Sequence, residues 1–455
     1  MRTQFSISSS VPTASSAPDW IVTLLPTAIA LRMFSNRASL VFVAFLLVVA
    51  FLRKSEARFA IKPGPLVLLI LSALIVFSRP LTIGPVLTFL LVSVLIFRLV
   101  ATVDARRMIA SLIDGAGLYI LVNVVFHLVG IVSPSADARL GGLVQSSTGF
   151  VRIAYPLSSS INSAPLIAAV YVTSVIFLIR QPGWIRRSIR VVFFLAATSV
   201  LIGSGSRGAL AIAVALSLVV IFLPVVTRWL VQGAALFAAI SSLVLPSIII
   251  AFEFVVSPLL SLARGRISDT RSVSTLESRD YIWDHAIRYW VDWVNEVPHI
   301  LLGYGVTGQY RSGASLSYSG ALSGLIRDPE LAFVHNSFLQ QLFDGGIVGC
   351  ILLMVAAFWA GSRFSRRRRD WGVAAIVAMA VILLGAMTEA SMAPGVAEES
   401  FWLLVALVGI SCQAGRTITA DGGPGRRQFA DSDDPMVRTD LVDVGEAPTR
   451  QPESS

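Results

Sequence analysis

Residues 332–350 read AFVHNSFLQQLFDGGIVGC. An imidazole, three carboxamides and a carboxylate stand there at the threshold of an apolar run: His335, Asn336, Gln340, Gln341 and Asp344. Histidine is the residue type best suited to take a proton from a hydroxyl at neutral pH. Two other stretches carry comparable chemistry. "GSGSRGAL" sets Arg207 behind Ser204 and Ser206 at the start of an apolar run, and "SRDYIWDHA" sets Arg279 at the start of an amphipathic one. A cation at a helix N-terminus opposes the macrodipole. A bound anion reverses that sign, because free N–H groups there hold phosphate and arginine adds forked, charge-assisted hydrogen bonds. The arrangement therefore suits a phosphate or diphosphate. The plainer reading stands beside it: Arg207 reaching to lipid headgroups, Arg279 pairing with Asp280 or Glu277, and His335 as a structural histidine. No metal-ligand spacing surrounds His335, the outer loops contain no Asp-x-Asp pair, and the cytoplasmic loops offer no P-loop or nucleotide-binding glycine motif. These absences argue against a bound metal, a cofactor, ATP-driven transport and a nucleotide-sugar donor.

The elements that must position these residues are membrane helices. Of 455 residues, 55% are hydrophobic and 14% charged, and the mean hydropathy is +0.76. Soluble domains carry about a quarter charged residues. The charges are clustered, which leaves uncharged stretches of spanning length. About twelve spans follow: 20–36, 38–52, 64–78, 81–98, 108–132, 161–179, 186–203, 208–226, 229–255, 345–362, 371–388 and 398–413. The net charge of +9 does not indicate nucleic acid, because the basic residues sit in short connectors between apolar runs. Connectors 53–62, 98–107, 180–190 and 363–369 fall on one side of a twelve-span scheme and assign that side, with both termini, to the cytoplasm. Cys350 and Cys412 imply no disulfide framework.

The opposite face then holds 133–160, the Ser204–Arg207 turn and the long loop 256–334. Within that loop Ile282, Ala286, Trp290, Trp293/Val294 and Val297 recur at helical steps, behind a Ser274–Glu277 capping box. The expected organisation is a disordered cytoplasmic tail over 1–19, a polytopic membrane domain over 20–413 and a second disordered tail over 414–455.

His335-Asn336, followed by nine residues, Gly346, two residues and Gly349, resembles the signature of the O-antigen ligase and polymerase family of bacterial membrane glycosyltransferases. "SGSRGALA" resembles its serine-arginine-glycine turn. "SRDYIWDHA", followed by "VPHILLGYG", resembles its arginine-tryptophan helix and the Pro…Gly-x-Gly stretch behind it. The resemblance covers roughly residues 190–400. It implies an all-α integral membrane protein of the C-type glycosyltransferase class in the plasma membrane. The donor would be a glycan on polyprenyl diphosphate at the outer leaflet, passed with inversion and without metal to an acceptor hydroxyl. Arg207, Arg279 and His335 would be catalytic, and Ser206, Asn336 and Trp283 would contact substrate. Polymerisation of repeat units is the leading reading. Ligation of finished glycan to a lipid, cell-wall or protein acceptor is the alternative, and transport is a third, disfavoured because no internal repeat is seen.

Overall fold

Within the described residues each apolar run is helical, as expected where backbone polar groups must be satisfied within the segment. The computed structural model describes residues 19–53, 59–79, 83–132, 143–145, 151–178, 183–223, 225–244, 279–322, 328–367 and 370–416, all in one unit ending at Arg416. The helices are α1 (Trp20–Ala30), α2 (Asn36–Leu52), α3 (Gly64–Phe77), α4 (Ile83–Thr102), α5 (Ala105–Leu128), α6 (Ser163–Val175), α7 (Trp184–Gly203), α8 (Arg207–Phe222) and α9 (Val226–Val244). They continue as α10 (Arg279–Trp293), α11 (Val297–Leu302), α12 (Gly308–Arg311), α13 (Leu316–Leu322), α14 (Ser337–Ser365), α15 (Asp370–Gly385) and α16 (Glu399–Ser411). α4, α5, α9 and α14 are each long and apolar enough to cross a membrane; α1 with its following turn, α2, α3, α6, α8, α15 and α16 are shorter apolar helices. The expected residues 1–18, the capping box at 274–277 and the tail beyond 416 lie outside the described residues.

Three boundaries differ from the sequence expectation. Asp19 is buried rather than part of a tail: it caps α1 by accepting from Ile21 N (3.2 Å) and pairs with Arg53. Residues 413–416 form β4, which pairs antiparallel with β1 (Phe59–Ile61). The helix expected from 345 begins at Ser337, where Asn336 caps it. α14 kinks at the second residue of the pair Gly345-Gly346, where Gly346 has φ 64° and ψ −168°. A Cβ there would stand 2.4 Å from the Leu301 carbonyl, so the kink is also where α11 docks.

The connectors segregate to two ends. At one end Lys62 N donates to Cys412 O (2.8 Å), Arg363 to Lys62 O (2.6 Å), and Arg98 to Ala50 O (3.2 Å). Gln413 ties in the next connector, donating to Val100 O and Val103 O (both 2.8 Å) and accepting from Ala105 N (2.7 Å). The fourth basic connector is anchored nearby: Arg186 (2.8 Å) and the buried Arg190 (2.8 Å) both pair with Asp114 in the N-terminal half of α5. A charge pair inside an apolar bundle is retained only when geometry and hydrogen bonds are good, and this one is forked. The other end gathers β3 (Val151–Ile153), the turn before α8, the start of α10 and the connector between α15 and α16.

This segregation predicts opposite accessibility. In a chain with Cys350 and Cys412 replaced by alanine, an impermeant maleimide is expected to label Ser317→Cys in intact cells and Arg106→Cys only after permeabilisation. Both positions are exposed. Labelling in the reverse order would overturn the orientation.

Candidate functional site

α8 begins behind the turn Ser204–Ser206. Arg152, on β3, holds that turn by donating to Ser204 O (2.9 Å) while its other arm donates to Asn162 Oδ1 (2.8 Å). Ser206 is the N-cap residue of α8 and is nearly buried, but its side chain makes no capping hydrogen bond. Arg207 follows as the first helical residue. It is exposed and forms no ion pair among the described residues. Gly208 backs onto Thr388, since a Cβ there would lie 4.0 Å from its hydroxyl. The start of α8 thus abuts the residue beside Glu389.

Glu389 is the hub of this end. Its Oε1 accepts from Arg279 (2.5 Å) and from Asn162 Nδ2 (2.7 Å), and its Oε2 lies 3.5 Å from His335 Nδ1. Its backbone oxygen accepts from Ser337 Oγ (2.7 Å), so the same residue fixes the start of α14. Burial alone would raise the Glu389 pKa. The Arg279 guanidinium and then His335 more than offset that, and the carboxyl is held below its ordinary range. Among the described residues the Arg279 ion pair is not with Asp280 but with a carboxylate 110 residues away; Glu277 lies outside the described residues.

His335 has φ +48°, in the left-handed region. For a non-glycine residue this costs on the order of 1–3 kcal/mol and persists where neighbours over-determine it. The neighbours do. Trp283 donates its indole N–H to Val334 O (2.7 Å), Tyr318 donates to Ala332 O (2.9 Å), and Val334 N donates to Gln340 Oε1 (3.4 Å). On the other flank Asn336 caps α14, its Oδ1 accepting from Phe338 N (3.0 Å) and Leu339 N (2.9 Å). Its amide donates to Ser241 Oγ (2.9 Å) and Met387 O (3.0 Å), binding α9 and the α15 exit to the same point. The His335 side chain is left 38% exposed, so its ring is accessible from outside the bundle.

The structure therefore brings Arg279 and His335 onto one carboxylate and sets the start of α8 beside it. It gives Asn336 and Trp283 a different place from the one expected. Both are fully buried, and the indole N–H and the carboxamide are spent on protein partners, so they position His335 rather than line a substrate surface. The same holds for the glutamines. Gln340 bonds Gln309 (2.7 Å) and Asp344 (2.8 Å), and Gln341 bonds Ser72 (3.0 Å).

The sequence reading missed Glu389, Asn162 and Arg152. The signal for Glu389 was present: it is the one acid between Asp370 and Glu398, in the connector after an apolar run. Asn162 and Arg152 carried no comparable mark, because only the fold brings β3 and the start of α6 to the same carboxylate. Among the described residues, no group of three or more His, Cys, Asp and Glu side chains is arranged to hold a metal ion.

Residues 191–354 match the family described as O-Antigen ligase. The chain therefore carries a segment similar to the O-antigen ligase family over those residues. The matched segment contains Arg207, Arg279 and His335, whereas Glu389 lies beyond it. No curated protein matches the chain. This match supports O-antigen ligase or polymerase-type glycan transfer in general, and together with the apolar helices it supports a membrane protein.

Replacing Glu389 by glutamine leaves the largely buried Arg279 without its counter-charge, at an expected cost of about 3 kcal/mol. Because the folded-state pKa is depressed, the stabilisation is present above the ordinary carboxylate value of about 4.3 and disappears as pH falls through the folded value. Melting temperatures of wild type and Glu389→Gln should differ by a constant amount above about pH 5 and converge only as pH falls below about 4.3 and through the lowered folded value. A difference that persists unchanged in acid would show that the charge of Glu389 is not what it contributes.

Proposed function

We propose that this protein belongs to the O-antigen ligase family and polymerises glycan repeat units. It would move a glycan from a polyprenyl-diphosphate carrier to an acceptor sugar hydroxyl on the outer face of the plasma membrane. Transfer inverts the anomeric centre and uses no metal. The observation that carries the reading is the Glu389 carboxylate flanked by Arg279 and His335 beside the start of α8.

The acceptor oxygen attacks the anomeric carbon, and the bond from that carbon to the diphosphate oxygen breaks with its electron pair leaving on the diphosphate. With the proton of His335 on Nδ1, facing Glu389, Nε2 holds a lone pair and takes the hydroxyl proton. Ionised Glu389 then faces the imidazolium that forms, in the way an orienting carboxylate supports a general base. Charge develops on the leaving diphosphate, where fixed donors contribute most. Arg207 and the free N–H groups at the start of α8 supply such donors. Arg279 keeps one guanidinium nitrogen on Glu389 and offers the rest of its fork. The outward orientation is supported by the gathering of basic connectors at the opposite end.

Arg207→Ala and Arg279→Ala are each expected to abolish transfer by protein that still inserts, with lysine rescuing poorly because a point charge does not replace the fork. His335→Ala should lower the rate by ~10²–10⁴-fold. Transfer from lipid-linked donor by purified protein should persist in EDTA. A deletion strain should accumulate single lipid-linked repeat units. Accumulation of long lipid-linked chains instead would assign the protein to ligation, and undiminished turnover by His335→Ala would remove the histidine from the chemistry.

A further inference from the structure

The end opposite the candidate site carries a concave feature. A pocket of about 330 Å³ is lined by Lys62, Trp359, Ser362, Arg363, Arg366, Arg367, Ser411, Gln413 and Ala414. That volume lies at the lower end of small-ligand pockets, roughly 300–1,000 Å³. Four of its lining side chains are cationic, and none has a carboxylate within ion-pair distance among the described residues. Their partners are neutral: Arg363 donates to Lys62 O (2.6 Å) and Ser411 O (3.4 Å), and Arg367 donates to Gln413 O. Burial lowers the Arg367 pKa; Asp104 works against this and neighbouring Arg363 adds to it. Like charges are thus drawn together around an open space, a state that an anion relieves.

The surroundings say which anion. Trp359 is 43% exposed, with its ring over the site of Gly64, where a Cβ would come within 2.4 Å, and Arg363 stacks on it at 5.1 Å. From Trp359 an exposed apolar stripe runs back along α14 at four-residue steps: Val355, Ile351 and Ile347. A cationic seat with an aromatic edge and an apolar track leading away from it matches a molecule with an anionic head and acyl chains.

We infer that the pocket between α14, β1 and β4 binds the phosphodiester headgroup of an anionic phospholipid, with an acyl chain lying along Trp359, Val355, Ile351 and Ile347. This site is separate from the glycan-transfer residues and does not depend on the reaction proposed for them.

The test uses the full chain in neutral detergent, titrated with phosphatidylglycerol carrying brominated acyl chains, and reads quenching of tryptophan fluorescence. Lys62 and Arg366 are exposed, and their side chains make no hydrogen bond or ion pair among the described residues. Lys62→Gln with Arg366→Gln should therefore leave the fold intact. Each removed cation should weaken lipid binding about fivefold, so the pair about 25-fold. Trp359→Phe should remove most of the saturable quenching. Brominated phosphatidylcholine should show no saturable component, and inorganic phosphate should not compete below the concentration at which salt screening alone does. Equal binding of the two lipids, unchanged affinity in the double variant, or full displacement by low phosphate would each overturn the assignment, the last making the pocket a free-anion site. Glycan transfer is not read in any arm, so failure here is distinct from failure of the proposed reaction.

Discussion

The site end of this protein depends on one largely buried ion pair, Arg279 with Glu389. Neither charge is tolerable alone among apolar helices, and their mutual attraction must offset the loss of water from both. The pair does so with help from Asn162, which donates to the same oxygen that Arg279 uses. Because Glu389 also accepts from Ser337 through its backbone, the ion pair fixes α10, α14, the α15–α16 connector and the start of α6 relative to one another. The imidazole of His335 meets the remaining carboxylate oxygen as a consequence of that arrangement.

A second constraint works inward from the site. Asn336, Gln340, Gln341 and Asp344 are all buried, and a buried polar group without a partner costs on the order of 1–3 kcal/mol. They meet that demand largely from one another and from backbone: Asp344 accepts from Gly308 N (2.7 Å) and Gln340 (2.8 Å), and Gln340 also donates to Gln309 (2.7 Å). Directional bonds of this kind specify one arrangement where apolar packing alone would permit several. The network ends at Val334, so its rigidity reaches the residue beside the strained backbone of His335.

Positive charge is held in two ways. Arg279 at the site end, and Arg53, Arg186 and Arg190 at the basic end, meet carboxylates. Arg363 and Arg367 instead meet carbonyl oxygens and tryptophan faces, at 5.1 and 5.2 Å. That second pattern fits a surface whose counter-charge is supplied from outside the protein, as the headgroup region of a membrane supplies it.

The sequence by itself determined the helical class, the approximate positions of the apolar helices and the grouping of basic connectors, because each follows from local composition and the cost of charge in hydrocarbon. It also singled out His335, Arg207 and Arg279, whose residue types and helix-terminal positions are readable from short windows. The tertiary structure alone decided their partners. Glu389 lies 110 residues from Arg279 and 54 from His335, and no periodicity links them. It likewise decided that Asn336 and Trp283 hold the backbone: a carboxamide or an indole next to a candidate base has the same sequence whether it faces substrate or a carbonyl. Which one it meets is set by the packing of α9, α10, α14 and α15 around it, a property of contacts between segments remote in the chain.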